Sequence, residues 1–263
     1  MTTTAALRPP TSNKVPQVTA VFWIIKVLAT TVGETAADFL NVQLGLGLQV
    51  TSVVMGALLI VALIVQFALR RYVPAVYWLA VVLISVVGTL ITDNLTDGLG
   101  VPLWVTTSVF TVVLAAVFTT WYVFERTLSI HSIVTRRRET FYWLAVLFTF
   151  ALGTAAGDLL AESLNLGYVL SLVVFAAAIA AIGLIYRFAH INAILAFWIA
   201  YILTRPLGAS TGDLLSQDLK NGGAGLGTTF TSLIFLIVIV VLVVVQSIQL
   251  RGRREAGDTA AEA

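Results

Sequence analysis

Apolar positions gather into eight runs along the chain, at roughly 17–40, 50–70, 75–96, 102–124, 140–162, 167–187, 192–215 and 228–249. A helix that crosses a bilayer needs about 20 such residues, so each run predicts one transmembrane helix. The polar positions divide the runs into two kinds. The run from Val50 to Leu69 and that from Thr229 to Val245 carry no charge and read as lipid-facing spans. The odd-numbered runs instead carry acidic residues near their C-terminal ends. Pro16, Pro74 and Pro102 stand near helix starts, where a missing backbone donor is tolerated.

The odd-numbered runs share a register. Trp23, Trp78, Trp143 and Trp198 are each followed ten positions later by a glycine (Gly33, Gly88, Gly153, Gly208) and five positions after that by an aspartate (Asp38, Asp93, Asp158, Asp213). The pattern W-x9-G-x4-D therefore occurs four times without a gap, at offsets of 55, 65 and 55 residues, and the two halves of the chain repeat at 120. The predicted architecture is an all-α integral membrane protein: eight transmembrane helices as four tandem parallel two-helix repeats, in two homologous four-helix halves. The expected divisions are a tail at 1–16, repeats at 17–71, 72–124, 140–191 and 192–249, a basic connector at 125–139 and a disordered tail at 250–263.

The fourfold motif resembles a family of bacterial membrane-anchored proteins of uncharacterised activity, built of four tandem copies of a repeat of unknown function. Each copy there holds two membrane helices and features a tryptophan, the position of Trp23, Trp78, Trp143 and Trp198 in this chain. The resemblance spans residues 17–245. It implies an eight-helix bacterial inner-membrane protein and supplies no activity.

Composition agrees with the span count. The 263 residues are 59% hydrophobic and 11% charged, whereas soluble domains run near ~45–50% and ~25%. Eight spans leave short loops and tails, with no separate catalytic domain. Cysteine is absent, which excludes disulfides and thiolate chemistry. The net charge of +2 comes from arginines in loops rather than from a nucleic-acid-binding patch. Of the 15 Lys and Arg, 12 fall in the tails and the loops after even-numbered runs. The positive-inside rule then puts both termini in the cytoplasm. The first run is expected to stay as a span, since it is long and carries the same motif as three later ones. The connector, with Ile130, Ile133 and Val134 among basic residues, reads as a surface helix on anionic lipid.

Parallel repeats make the four motif helices run in one direction. Tryptophan and aspartate, 15 positions apart, lie about 22 Å apart along the helix and within about 60° of one face. Motif helices around a central axis, with even-numbered helices outside, would gather the aspartates into a ring at one mouth. Glu34, Asp97 and Glu162 stand four residues from an aspartate and extend the set, with Thr35, Thr89, Thr92, Thr154, Ser210 and Thr211 alongside. Such all-oxygen groups suit hard cations, and intramembrane acids also relay protons. Lys26 and Arg205 are intramembrane bases that break the symmetry; they are candidates for structural ion pairs that hold helices together, and the other reading is a base that competes with a cation for the acids. Pro206 and Gly208 suggest a broken helix there. The glycines themselves are open to a packing role.

The expected function is therefore a small transporter or channel for a hard divalent metal or a proton-coupled solute. The alternative is a non-transporting scaffold or sensor held by structural ion pairs. There is no nucleophile elbow, metalloprotease motif or dinucleotide fingerprint, so neither an enzyme nor a cofactor is expected. The lipid bilayer, with a divalent cation or a proton, is the expected partner.

Overall fold

The computed structural model describes residues 13–262, with residues 253–262 as backbone only. Every regular element among them is helical. The long helices are α1 (Ala20–Asp38), α2 (Gly47–Ala68), α3 (Pro74–Asp93), α4 (Leu103–Glu125), α5 (Arg136–Asp158), α6 (Gly167–Ala189), α7 (Ala193–Ser216) and α8 (Thr228–Glu262). All eight contain a segment long and apolar enough to cross a membrane. Local chemistry sets several starts. The hydroxyls of Thr19 and Thr135 accept from Phe22 N and Arg138 N, Asn192 accepts from Ile194 N and Leu195 N, and Pro74 opens α3.

The two kinds of run occupy different layers. Spans α1, α3, α5 and α7 are 50–67% buried, whereas α2, α4, α6 and α8 are 11–17% buried. The motif helices pack in a closed ring, α1 on α3, α3 on α5, α5 on α7 and α7 on α1. Each outer helix packs on the motif helix of the next repeat: α2 on α3, α4 on α5, α6 on α7, and α8 back on α1. The last repeat thereby covers the first, and the linear duplication closes into a pseudo-fourfold ring.

Glycine lets the ring close. A Cβ built on Gly33 would fall 2.4 Å from Ser85 Cβ, on Gly88 2.7 Å from Phe150 Cβ, on Gly153 2.5 Å from Arg205 Cβ, and on Gly208 2.5 Å from Thr30 Cβ. In every case the intruding residue stands three positions before the glycine of the neighbouring helix. One contact is thus made four times around the ring, by close approach of small residues between membrane helices.

Three features depart from the sequence expectation. The connector is not a surface helix. It makes a single 3₁₀ turn at Ile130–Ser132, with Ile130 and Ile133 buried, and α5 starts at Arg136. Arg137 and Arg138 both pair with Glu125, and Lys14 of the N-terminal segment bonds Glu139 at 2.6 Å. Three of the basic residues are thus paired with acids of the same protein. Secondly, the expected disordered tail continues α8 to Glu262. Its Arg, Glu and Ala are strong helix formers, and extending an existing helix needs no nucleation. The first 12 residues of the predicted N-terminal tail lie outside the described part. Thirdly, Pro206 does not interrupt α7, which runs through it to Ser216. Its ring sits over the faces of Gly153 and Gly157 on α5, where there is room for it.

Candidate functional site

Each motif helix carries one stripe of residues four apart, and the four stripes meet along the ring axis. Numbered from the tryptophan end, the first layer is Phe22, Tyr77, Tyr142 and Phe197, and the second is Lys26, Val81, Val146 and Tyr201. The third is Thr30, Ser85, Phe150 and Arg205, the fourth Glu34, Thr89, Thr154 and Ala209, and the fifth the four aspartates. Side chains of the second, third and fourth layers are all buried, with Lys26 and Arg205 at 0% exposure. Burial relaxes at the fifth layer, where Asp38, Asp93 and Asp158 are half-buried.

Arg205 ties the layers together. Its guanidinium bonds Glu34 Oε2 at 2.7 Å, Thr30 O at 3.0 Å and Thr154 Oγ1 at 2.6 Å, and it also bonds the Thr89 hydroxyl. A residue of α7 therefore grips α1, α3 and α5 at once. Its planar fork of five donors suits this task, and a lysine at that position would reach fewer partners.

Lys26 meets no acid. Its Nζ has no hydrogen-bond partner and lies 3.9 Å from the ring centre of Phe150 and 4.2 Å from that of Tyr201. The expected ion pair is replaced by aromatic faces, because Glu34, two turns along the same stripe, is held by Arg205. Beneath Lys26 the phenols of Tyr77 and Tyr142 hydrogen-bond to each other.

The aspartates form a ring. Asp93 has Asp38 as an electrostatic neighbour, Asp158 has Asp93 and Asp213, and Asp213 has Asp38. None of the four side chains makes a hydrogen bond among the described residues. In three copies the aspartate is the last α-helical residue and a π-helical turn follows: Phe39–Gln43, Asn94–Gly98 and Leu159–Ser163. The fourth copy has no such turn, and Asp213 lies inside α7 with 9% exposure. The π turns change the placing of the outer acids. Asp97 and Glu162 do not stack one α turn beyond their aspartates but sit exposed on the π turns at the rim. Among the described residues no three His, Asp or Glu groups gather closely enough to hold a metal ion. The ring is a set of separate carboxylates rather than a chelating cluster.

The tryptophans lie at the other end, beside the axis. Each packs against the aromatic residue preceding the tryptophan of a neighbouring copy: Phe22 on Trp78 at 5.6 Å, Tyr77 on Trp143 at 5.5 Å, Tyr142 on Trp198 at 6.2 Å and Phe197 on Trp23 at 5.6 Å. The sequence reading took in the tryptophan and not this preceding aromatic, although Phe or Tyr stands before Trp in all four copies. That dipeptide was the available signal. An apolar cavity of about 550 Å³ opens beside Trp23 and Phe197, between α1, α6, α7 and the connector, and no candidate acid lines it.

The repeats can now be compared with known proteins. No curated protein matches the chain, and no solved structure matches it. A family model described as Repeat of Unknown Function (DUF347) matches residues 21–72, 76–127, 141–192 and 196–251, each match taking in one motif helix and the outer helix that follows it in sequence. Four tandem matches account for most of the sequence, and the chain belongs to the family built of this repeat.

Proposed function

We propose that the protein moves a small cation or a proton across a bacterial inner membrane, with both termini in the cytoplasm and the aspartate ring at the outer mouth. The observation that carries this reading is the ring itself: four carboxylates at the open end of a closed axis, none engaged by a protein hydrogen bond. An acid in a span is costly to keep and usually marks an ion path, and acid rings select cations. The separation of the carboxylates favours a hydrated cation, held by charge, or a proton. The orientation follows from the basic residues, which concentrate at the tryptophan end. The reading assigns no catalytic step.

One carboxylate about 8 Å from a unit charge attracts it by roughly 2 kcal/mol at an effective dielectric near 20. Changing Asp38, Asp93, Asp158 or Asp213 singly to Asn is therefore expected to lower cation flux into proteoliposomes by about ten- to thirtyfold. Parental flux in all four variants, for every cation offered, would sink the reading.

A scaffold is the second reading, favoured by one observation: Arg205 fastens all four motif helices at a single point. On that reading the parent protein carries no cation at all.

A further inference from the structure

We infer that the apolar cavity beside Trp23 holds one acyl chain of an anionic phospholipid, with the headgroup at Ser129, His131 and Arg187. The inference does not depend on what the axis carries.

The outer helices repeat as the motif helices do, and the repeat shows what fills this place elsewhere. The hydroxyl residues Thr51, Thr106, Ser171 and Thr231 are all buried and mark one equivalent position on α2, α4, α6 and α8. Twelve positions further on, the same face carries Leu63, Phe118, Gly183 and Val243. Three beyond that stand Gln66, Trp121, Tyr186 and Gln246. Three of the four helices fill the slot with their own side chains. On α4, Phe118 and Trp121 pack on Trp198 with ring centres 4.9 Å and 5.8 Å away. On α8, Val243 is buried and Gln246 accepts from Trp78 Nε1 at 3.2 Å. On α2, Leu63 packs against the core and Gln66 donates to the buried Glu139 at 3.2 Å.

Helix α6 leaves its slot open. A Cβ built on Gly183 meets nothing within 4 Å, and Tyr186 is 49% exposed. Both line the cavity of about 550 Å³, as does Trp23. Trp78 and Trp198 donate their indole N–H to Gln246 and to Leu128 O, whereas Trp23 makes no side-chain hydrogen bond among the described residues. The missing side chain is therefore specific to one repeat, and the space it leaves is of the size that small ligands occupy.

Shape and lining select the occupant. Ala193 and Leu207 both line the cavity and stand 14 positions apart, so it runs about 21 Å along α7. Half the hydrocarbon thickness of a bilayer is about 15 Å, and the slot thus extends through one leaflet, parallel to lipid tails. Val18, Val27, Ile179 and Ile182 make its walls apolar. The polar groups gather at the tryptophan end, where Ser129 and His131 line it and Arg187 follows Tyr186 in the last turn of α6. No acid lines the cavity. A basic rim on an apolar slot between membrane helices suits a phosphodiester headgroup above a buried tail.

The test is native mass spectrometry of the protein released from detergent micelles, titrated with phosphatidylglycerol or with phosphatidylcholine of the same chain length. The parent is expected to retain one phosphatidylglycerol and to prefer it about tenfold, as two basic groups at the rim allow. Gly183→Phe, which copies Phe118 of α4, is expected to weaken that binding by about tenfold or more, since each methylene shut out forfeits about a factor of four. Gly56→Phe, on the open face of α2, should bind as the parent does. Arg187→Gln should keep the bound lipid and cut the headgroup preference by about fivefold. Should Gly183→Phe fail to fold, Gly183→Leu, the residue found at Leu63, decides in the same way. Parental binding in Gly183→Phe overturns the inference, as does equal loss in Gly56→Phe, equal affinity for the two lipids, or a parent that retains none. A lipid-free dimer that Gly183→Phe dissociates also overturns it, with a second copy as the occupant.

Discussion

At the scale of single residues, the Arg205–Glu34 pair is the point where chemistry and stability meet. Both side chains are buried, with exposures of 0% and 8%, and their contact is 2.7 Å. Removing one partner of such a pair costs about 3–5 kcal/mol, because the other charge is left uncompensated, whereas replacing both is often near neutral. Glu34→Gln should therefore destabilise the protein by about 3 kcal/mol or more, since it leaves the Arg205 guanidinium buried without its carboxylate. Arg205→Met leaves the Glu34 carboxylate without that partner and should destabilise as well. The double variant Glu34→Gln/Arg205→Met should recover most of the loss. Unfolding in mixed micelles measures all three, and strictly additive losses in the double would refute the coupling. Both residues were visible in the sequence as charges inside apolar runs. Which of them met was not. The partners are 171 positions apart, and their meeting depends on α7 closing onto α1, which no local spacing encodes. Lys26 shows the same limit: its character was legible, and its aromatic surroundings came from α5 and α7.

At the scale of elements, the motif glycines act as slots for the neighbouring helix. Gly88→Ala would place a methyl 2.7 Å from Phe150 Cβ and 3.2 Å from Ala151 N, so α3 and α5 would have to move apart. Overpacking of this kind costs about 1–3 kcal/mol. Gly56 on α2 and Gly183 on α6 have nothing within 4 Å of an added Cβ. Alanine there should be neutral or stabilise slightly, since glycine weakens a helix interior by up to about 1 kcal/mol. Thermal unfolding in detergent should therefore separate Gly88→Ala from Gly56→Ala and Gly183→Ala, and equal midpoints would discount the slots. The glycine spacing was plain in the sequence. Its partner, three positions before the next copy's glycine, could be recognised only once the helices lay side by side. The π turns were illegible for a different reason: acids four apart, as in Asp93 and Asp97, fit an uninterrupted α-helix equally well.

At the scale of the molecule, a chain of four like repeats must dispose of its two ends. Helices α3, α5 and α7 each take an outer helix from the preceding repeat, whereas α1, the first motif helix, takes α8. Helix α8 supplies the cover, and Ser232 Oγ donates to Thr35 Oγ1, 197 positions away, at 2.6 Å across that junction. The sequence announced the four copies but left their closure open, since an open row of repeats has the same periodicity. A chain could also lend its α8 to the α1 of a second copy, as swapped assemblies do. The absence of cysteine makes the two arrangements separable. In Thr35→Cys/Ser232→Cys, hydroxyls already in contact are replaced by thiols within the reach of a disulfide, and no background pairing competes. Mild oxidation is expected to yield a cross-linked monomer. Cutting the connector between Glu125 and Arg136 should then leave the two halves linked until a reductant is added. Cross-linked dimers in place of monomers would mean that α8 covers the α1 of a second copy, while the contact of α7 on α1 that brings Asp213 beside Asp38 could stay within one chain.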